Sequence, residues 1–475
     1  MSRNLTLVPA ADGVLDNRTL FRLIVVLASP LALSRLVQAL AGLIDIAMVG
    51  DLGAAATAAV GTGRQLVFIA EMMMVSILSG AQAVTAQVTG RGAWDQVTVV
   101  LRHAFLLLLT FSLVLGAAGY AATPWLLHLI GAEGEVFALS VAYMRVFFLG
   151  LWAMALSHII SNVMQASGDT LTPFFVITAI NVLHVVFNYI FINGLGIIPA
   201  MGVRGAALGQ TASRFTGLVI GLVIVYSGLY RINMRRERTL RPDWEMVRRI
   251  LRIGLPVTVQ GLSRNGASLI ILRILASAPG ATVGLAAFAI GSRLMQFSYF
   301  GAHAFSTVNL ILVGQSLGAK SEREAERRGW ATMWLSLAVM SSIGLAFFFL
   351  ARPLVDFFTD DPAVIAAGVL FVRLLGIVQP FTALAEAMTG ALQGAGDTRP
   401  PLHYTLLAQW LVSLPLAYLL TFPVGLGLTG VWIAVSISPI LQGILVVNKF
   451  RSGSWKGHYA RVEAARVAAL SPEIT

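Results

Sequence analysis

Several acids, imidazoles and amides stand inside apolar runs of this sequence, where a charged group is expensive and so marks a working site by default. Asp45, in the string AGLIDIAMVG, has Gln38 seven residues before it, so on a 3.6-residue period the two share a helix face. Withdrawal from water disfavours the charged form of a carboxylate, the property that suits a group to carry a proton. The plainer reading of Asp45 is an interfacial acid hydrogen-bonded to a neighbouring helix end. Asn181, His184 and Asn188 recur three and four residues apart and line one helix face, with Tyr189 beside them; hydrogen bonding between packed helices is the alternative to a binding stripe. Glu71 follows Arg64 by seven residues, on the same face and with opposite charge. A salt bridge that neutralises both is expected there, with an ancillary proton or cation site as the sharper alternative.

These groups need elements long enough to hold them away from water. The chain of 475 residues is 57% hydrophobic and only 12% charged, against roughly 25% charged residues in a soluble domain. Its apolar runs reach the ~20 residues that span a hydrocarbon core as helices. Twelve such spans are expected, at about 22–49, 57–89, 98–122, 135–165, 172–193, 203–229, 247–277, 283–317, 330–351, 363–393, 400–421 and 425–450. The fold class is therefore an all-α membrane protein. Its first polar stretch runs into a span too long for a signal-peptide core, so no cleaved leader is expected. With no cysteine in the chain, disulfides, thiolate metal sites and cysteine nucleophiles are excluded.

The spans fall into two sets of six because the sequence repeats. QASGDTLTPFF at 165–175 recurs as QGAGDTRPPLH at 393–403, which superposes Gly168, Asp169 and Pro173 on Gly396, Asp397 and Pro401 at a constant offset close to half the chain. Gln87 and Gly90 match Gln315 and Gly318 at the same offset, and Pro30 matches Pro256 with a slight slip. This is the pattern of transporters built from two like-oriented halves. The same offset places Glu386, in TALAEAMTG, opposite His158, in ALSHIISN; a carboxylate and an imidazole there titrate together near neutral pH or serve packing. The Gly-Asp turn itself has a structural explanation. Glycine and aspartate make a tight turn with a helix cap, and Pro173 or Pro401 opens the next helix where a missing N–H costs little.

The expected organisation is a cytoplasmic segment 1–20, an N-lobe 21–230, a basic cytoplasmic linker 231–246, a C-lobe 247–450 and a cytoplasmic tail 451–475. The net charge of +11 is sorted by side rather than spread over a nucleic-acid face. RINMRRERTLRPDWEMVRRILR and GAKSEREAERR carry the basic residues, whereas GAEGEV, SAPGATVG, VDFFTDDPA and PVGLGLTG are neutral or acidic. The positive-inside rule then puts both termini in the cytoplasm and excludes nucleic acid as the partner that explains the charge.

GLIDIAMVGDLGAAATAAVG at 42–61, QASGDTLTP followed by NVLHVVFNYIFI, GVRGAALGQTASR at 202–214 and GALQGAGDTRPPL at 390–402 together resemble the multidrug and toxic compound extrusion (MATE) family, within the multidrug/oligosaccharidyl-lipid/polysaccharide flippase superfamily. The resemblance covers residues 20–450. It implies twelve helices in two pseudo-symmetric six-helix lobes around a central cavity, and export of amphipathic, mostly cationic compounds in exchange for protons or sodium. It implies that Asp45 stands where these proteins carry an essential acid, and that the Asn181, His184, Asn188 and Tyr189 face belongs to an N-lobe cavity shared with Asp45. It also implies a bacterial inner-membrane location. Two departures bear on the ion. Sodium-coupled members tend to carry a glutamate on span seven, yet QGLSRNGASLIILRILA has Arg264 and Arg273 and no acid. Another branch has Asp-Pro where this chain has Asn188 and Tyr189.

Proton coupling through Asp45, with Gln38, Glu71 and Glu386 as further ion-site candidates, is the favoured expectation, because a sodium ion wants several oxygen ligands and the acids here are scattered. His158, Arg264, Arg273, Met73 and Phe297 join the substrate-cavity candidates; methionine and aromatic side chains suit adaptable binding. Arginines fall inside expected spans, among them Arg35, Arg64, Arg145, Arg214, Arg264, Arg273, Arg293 and Arg373. If several line the cavity, the substrate is anionic, or a lipid-linked compound is flipped. Arg264 and Arg273 lie nine residues apart, so at most one of them faces the cavity of a straight helix. No clustered His/Asp/Glu motif and no Walker sequence is present, which argues against an enzyme and against direct ATP coupling. Neither cofactor nor metal is expected; the partners are small-molecule substrates, the coupling ion and membrane lipid, and the working form a monomer.

Overall fold

The computed structural model describes residues 15–227, 232–235, 243–457 and 459–460. The chain is built of helices α1 (Asn17–Gly50), α2 (Ala54–Gly90), α3 (Trp94–Leu129), α4 (Gly134–Ala166), α5 (Leu171–Asn193), α6 (Gly202–Tyr226), α7 (Trp244–Ser277), α8 (Ala281–Gly318), α9 (Glu322–Phe349), α10 (Ala351–Asp356), α11 (Pro362–Gly394), α12 (Arg399–Leu406), α13 (Leu414–Thr421) and α14 (Leu428–Arg451). Two spans are broken. Leu350 interrupts the helical run between α9 and α10, two residues before the Arg352–Pro353 step that α helices disfavour. A π-helical segment at Leu407–Ser413 joins α12 to α13 just ahead of Pro415, which cannot donate to the carbonyl four residues back. Counting each broken helix once gives twelve spans among the described residues, as the hydropathy pattern predicts. Ten are long and apolar enough to cross a membrane on composition alone; α7 and α8 have the length but carry more polar residues.

The repeat is written into the helix starts: Trp94 and Glu322, Gly134 and Pro362, and Leu171 and Arg399 are each separated by the offset that relates the two Gly-Asp turns. Both copies of that turn end their helix in the same way. Gly168 and Gly396 take positive φ (99° and 81°), and Asp169 and Asp397 donate their N–H to Met164 and Leu392 at 3.1 and 2.9 Å, the bond pattern of a Schellman cap. Only glycine enters that left-handed conformation without cost. Asp169 Oδ1 then accepts the N–H of Thr172 at 2.9 Å, capping α5. Asp397 does something else: it faces Lys449 Nζ at 3.5 Å. Pro173 and Pro401 sit in the first turns of α5 and α12.

The chain divides into two compact units, one of Leu33–Thr258 and one containing the residues before Leu33 together with Val259 onward, apart from the first five residues. The boundaries differ from the expected lobe limits 21–230 and 247–450 because two helices are each shared between units. The first turns of α1 bury Leu20, Ile24 and Leu27 with Val308 and Leu312 of α8, within the second unit. The first turns of α7 stay with the first unit, where the close backbone approaches of Gly80 to Ile250 and of Gly254 to Ser76 leave no room for a Cβ. Core packing in the first unit runs through Leu101, Met144, Leu151 and Ile159; in the second, Phe371 stacks on Trp432 at 4.2 Å. Parts of the expected N-terminal segment 1–20, linker 231–246 and tail 451–475 lie outside the described residues. The described start of the tail is docked, with Trp455 stacked on Phe450 at 4.9 Å and Lys456 bonded to Glu326 at 2.6 Å.

Candidate functional site

In the first unit α5 brings its polar stripe to Asp45 of α1. Asn188 Nδ2 donates to Asp45 Oδ1 at 2.6 Å and also lies 3.1 Å from His184 Nε2, so its two N–H groups bridge the acid and an imidazole that accepts in its neutral form. His184 Nε2 is itself 3.9 Å from Asp45 Oδ1. Three side chains drawn from residues 143 positions apart thus converge. Gly209 of α6 holds the stripe in place: a Cβ there would meet the backbone nitrogen of Asn188 at 2.8 Å, and Gly205, one turn earlier, makes the matching approach to the Phe191 carbonyl. The small-residue spacing in GVRGAALGQ is the sequence signal for this contact.

Around the bridge lie charges that are not directly paired with one another. Arg64 makes no ion pair with Glu71 among the described residues, so the salt bridge expected from their seven-residue spacing is not formed. The guanidinium lies instead against α1, where a Cβ on Gly42 would be 3.2 Å from Nη2, one turn before Asp45. Arg214, Arg35 and Arg64 are the cations that face Glu71 through space. Arg35 Nη1 donates to Gln38 Oε1 at 3.4 Å, and Arg214 Nη1 donates to His158 Nε2 at 3.4 Å. Gln38 and His158 therefore engage arginines rather than Asp45. Tyr143, whose hydroxyl donates to Gln210 at 3.1 Å, packs against Gly63, where a Cβ would meet its ring at 2.8 Å. The spacing of neither Tyr143 nor Gln210 in the sequence marks them as partners, since they lie on different helices 67 residues apart.

The rest of the stripe goes elsewhere. Asn181 bonds to the Ile177 carbonyl of its own helix at 2.7 Å, and Tyr189 is exposed. Met73 and Phe297 are exposed as well, with Phe297 edge-on to Phe300 at 6.0 Å.

The second unit has its own buried charge. Arg264 Nη1 donates to Glu386 Oε1 at 2.7 Å, with Tyr299 close enough for its hydroxyl to feel both charges. Arg273 projects away and is exposed, as the nine-residue spacing predicts. Amide and hydroxyl bonds surround the pair in sequence: Gln260 and Gln442 both donate to Thr405 Oγ1, at 2.8 and 2.9 Å, and Trp410 of the π-helical segment donates to Ser263 at 2.7 Å. The expected joint titration of Glu386 and His158 does not describe this arrangement, since each has its own arginine. Among the described residues no group of three or more His, Asp or Glu side chains is arranged to hold a metal ion.

Twelve spans in repeated sets of six, with ionisable side chains held inside the helices, define a polytopic membrane transporter. The MatE family profile matches residues 30–190 and 256–419, once in each half. The chain belongs to the MatE family, whose members are transporters and not enzymes. It is 29% identical over 441 residues to the "Probable multidrug resistance protein NorM" of Thermotoga maritima, covering 90% of this chain and 92% of that protein. Among solved structures it is similar to a MATE transporter in a bent conformation, with TM-score 0.85 at 21% identity over 94% of this chain and all of that one. A MOP superfamily transporter from Pyrococcus furiosus, described as having a binding pocket of reverse polarity, superposes with TM-score 0.83 at 22% identity, over 94% of this chain and all of that one. These structures share the fold.

Proposed function

We propose that the chain is a proton-coupled exporter of amphipathic organic compounds, working by alternating access, with Asp45 as the group that takes up and releases the proton. The observation that carries this reading is the Asp45–Asn188–His184 bridge. An amide N–H donates to a carboxylate and, more weakly, to the carbonyl oxygen of a carboxylic acid, so Asn188 has a bond to Asp45 to keep in either protonation state. His184, 3.9 Å from the acid, is a second acceptor for the same proton. A sodium ion would want several oxygen ligands, whereas Asp45 is met by one amide nitrogen and one ring nitrogen. Coupling follows if the proton binds one conformation better than the other, since a ligand shifts an equilibrium only by its differential affinity. The basic connections support a bacterial inner-membrane protein with both termini cytoplasmic, and the monomer is taken as the working unit.

The arginines favour a second reading for the substrate. Arg35, Arg64 and Arg214 outnumber Asp45 and Glu71 around the site, which supports an anionic or zwitterionic compound over a simple cation. The test is purified protein in liposomes under an imposed pH gradient or an imposed sodium gradient, with uptake of a fluorescent cation compared with that of an anion. Transport driven by sodium and indifferent to pH would overturn the choice of ion; uptake of the anion alone would select the second reading.

A further inference from the structure

Arg145 and Arg373 are expected intramembrane arginines that neither polar cluster uses, and they occupy equivalent positions of the two repeats. Each lies over an aromatic ring of a neighbouring helix: Arg145 Cζ is 5.1 Å from the ring centre of Tyr120, and Arg373 Cζ is 5.9 Å from that of Phe348. Tyr120 and Phe348 are related by the same repeat offset. The duplication has thus kept both members of a cation–π pair, once on α3 and α4 and once on α9 and α11. Tight helix contacts hold each pair. A Cβ on Gly116 would meet the Phe148 carbonyl at 2.8 Å, and Gly344, the matching position in the second half, approaches the Gly376 carbonyl.

Both arginines are exposed on apolar faces. One turn further along their helices stand Leu149 and Ile377, 64% and 51% exposed and once more a repeat pair, so these faces meet hydrocarbon rather than water. No acid pairs with either arginine among the described residues. A lipid-facing guanidinium needs an anion or water, and it reaches one by snorkelling. Each arginine is eleven residues from the start of its helix, or ~16 Å at 1.5 Å per residue. Helices of 33 residues overhang a ~30 Å hydrocarbon core by ~10 Å at each end. That leaves the Cα atoms ~6 Å beneath the boundary, within reach of an arginine side chain. Helical side chains lean toward the helix N-terminus, which for α4 and α11 is the end away from the basic connections.

We propose that Arg145 with Tyr120, and Arg373 with Phe348, form a repeated pair of binding sites for the phosphodiester headgroup of an anionic phospholipid, in the leaflet opposite the basic connections. The planar guanidinium keeps one face on the ring and offers its edge N–H groups to two phosphate oxygens, as a lysine cannot. The aromatic ring fixes the fork and fills the space between the helices at the headgroup level.

The test is native mass spectrometry and thermal unfolding of the full-length protein in detergent, titrated separately with phosphatidylglycerol, with diacylglycerol and with inorganic phosphate. Wild type should retain one phosphatidylglycerol per site and be stabilised by it, R145Q and R373Q should each lose one bound lipid with about fivefold weaker apparent affinity, and the double variant should lose both. R145K and R373K, which keep the charge, and Y120L, which keeps the arginine, guard against a folding defect and should show intermediate loss. Undiminished phosphatidylglycerol binding in the double variant would overturn the proposal. Equal stabilisation by diacylglycerol would reduce the effect to acyl packing, and equal stabilisation by inorganic phosphate would make this an adventitious anion site; either contradicts a headgroup site. Loss of binding with proton-driven transport intact would support the lipid sites and leave the coupling reading untouched.

Discussion

Arg264 and Glu386 meet at 2.7 Å in the second unit, whereas in the first unit Arg35, Arg64, Arg214, Asp45 and Glu71 form no direct arginine–acid pair among the described residues. The halves descend from one repeat, and the positions that correspond to Arg264 and Glu386 are Gln38 and His158. Two charges in one half thus answer to an amide and an imidazole in the other. Glu71 likewise answers to Tyr299. A closely bonded buried pair has one favourable protonation state, because neutralising either partner strands the other. Asp45, bonded to Asn188 beside His184 and to no arginine, strands no buried cation when it takes up a proton. The second arrangement suits a group that must load and unload a proton, and the first suits a fixed strut.

Breaking the strut should give the largest effect. Glu386→Gln leaves the partly buried Arg264 with a neutral partner and should cost about 3 kcal/mol of stability, the low end for a buried pair, read as a large fall in folded protein recovered from membranes. The double change Glu386→Gln with Arg264→Met should recover most of that loss; a double variant as poor as the single would mean that the pair does more than neutralise itself. The next effect belongs to Asn188. Asn188→Ala removes the bridge to Asp45 and His184 and should cost about 1–3 kcal/mol, while shifting the pH dependence of transport. Transport with an unchanged pH profile in Asn188→Ala would separate the bridge from coupling.

The helices, their repeat and the Gly-Asp turn are all legible in the sequence because each depends on local signals: apolar run length, a glycine that must take positive φ, a proline in a first turn. The Asp45 site is half legible. His184 and Asn188 share a face by spacing alone, and that face does reach the acid. The choice of partner is not legible. Arg64 and Glu71 share a face, yet Arg64 is drawn to Gly42, where a missing side chain leaves room for a guanidinium. Arg214 with His158 and Arg264 with Glu386 bridge 56 and 122 residues, and such pairings are decided by which helices glycines allow to touch. Asp169 and Asp397 share one motif, but Pro400 stands where Thr172 donates its N–H, so the second aspartate has no such bond to accept and faces Lys449 instead.

That divergence yields a smaller expected effect. Asp169→Asn should be close to neutral because asparagine caps almost as well as aspartate, whereas Asp397→Asn should lose about 1 kcal/mol with its ion pair, seen as a modest drop in unfolding temperature. Equal behaviour of the two would remove the distinction between the turns. The smallest effect is expected for Arg64 and Glu71. With no direct bond between them, the coupling energy in a double-mutant cycle should stay below about 0.5 kcal/mol; a larger value, measured on folded protein levels, would restore the ion pair that the spacing suggests.

If Asp45 carries the proton, Asp45→Asn should abolish coupling without abolishing binding, because the amide imitates the protonated acid permanently. Equilibrium binding of a substrate or inhibitor in detergent and pH-driven transport in liposomes should be measured on the same preparation. Binding is expected to persist within about threefold of wild type while pH-driven transport falls at least about a hundredfold, the loss of an obligatory carrier rather than of a contact. Transport surviving in Asp45→Asn at near wild-type rate would refute the assignment and move the coupling group elsewhere, with Glu386 the next to be substituted.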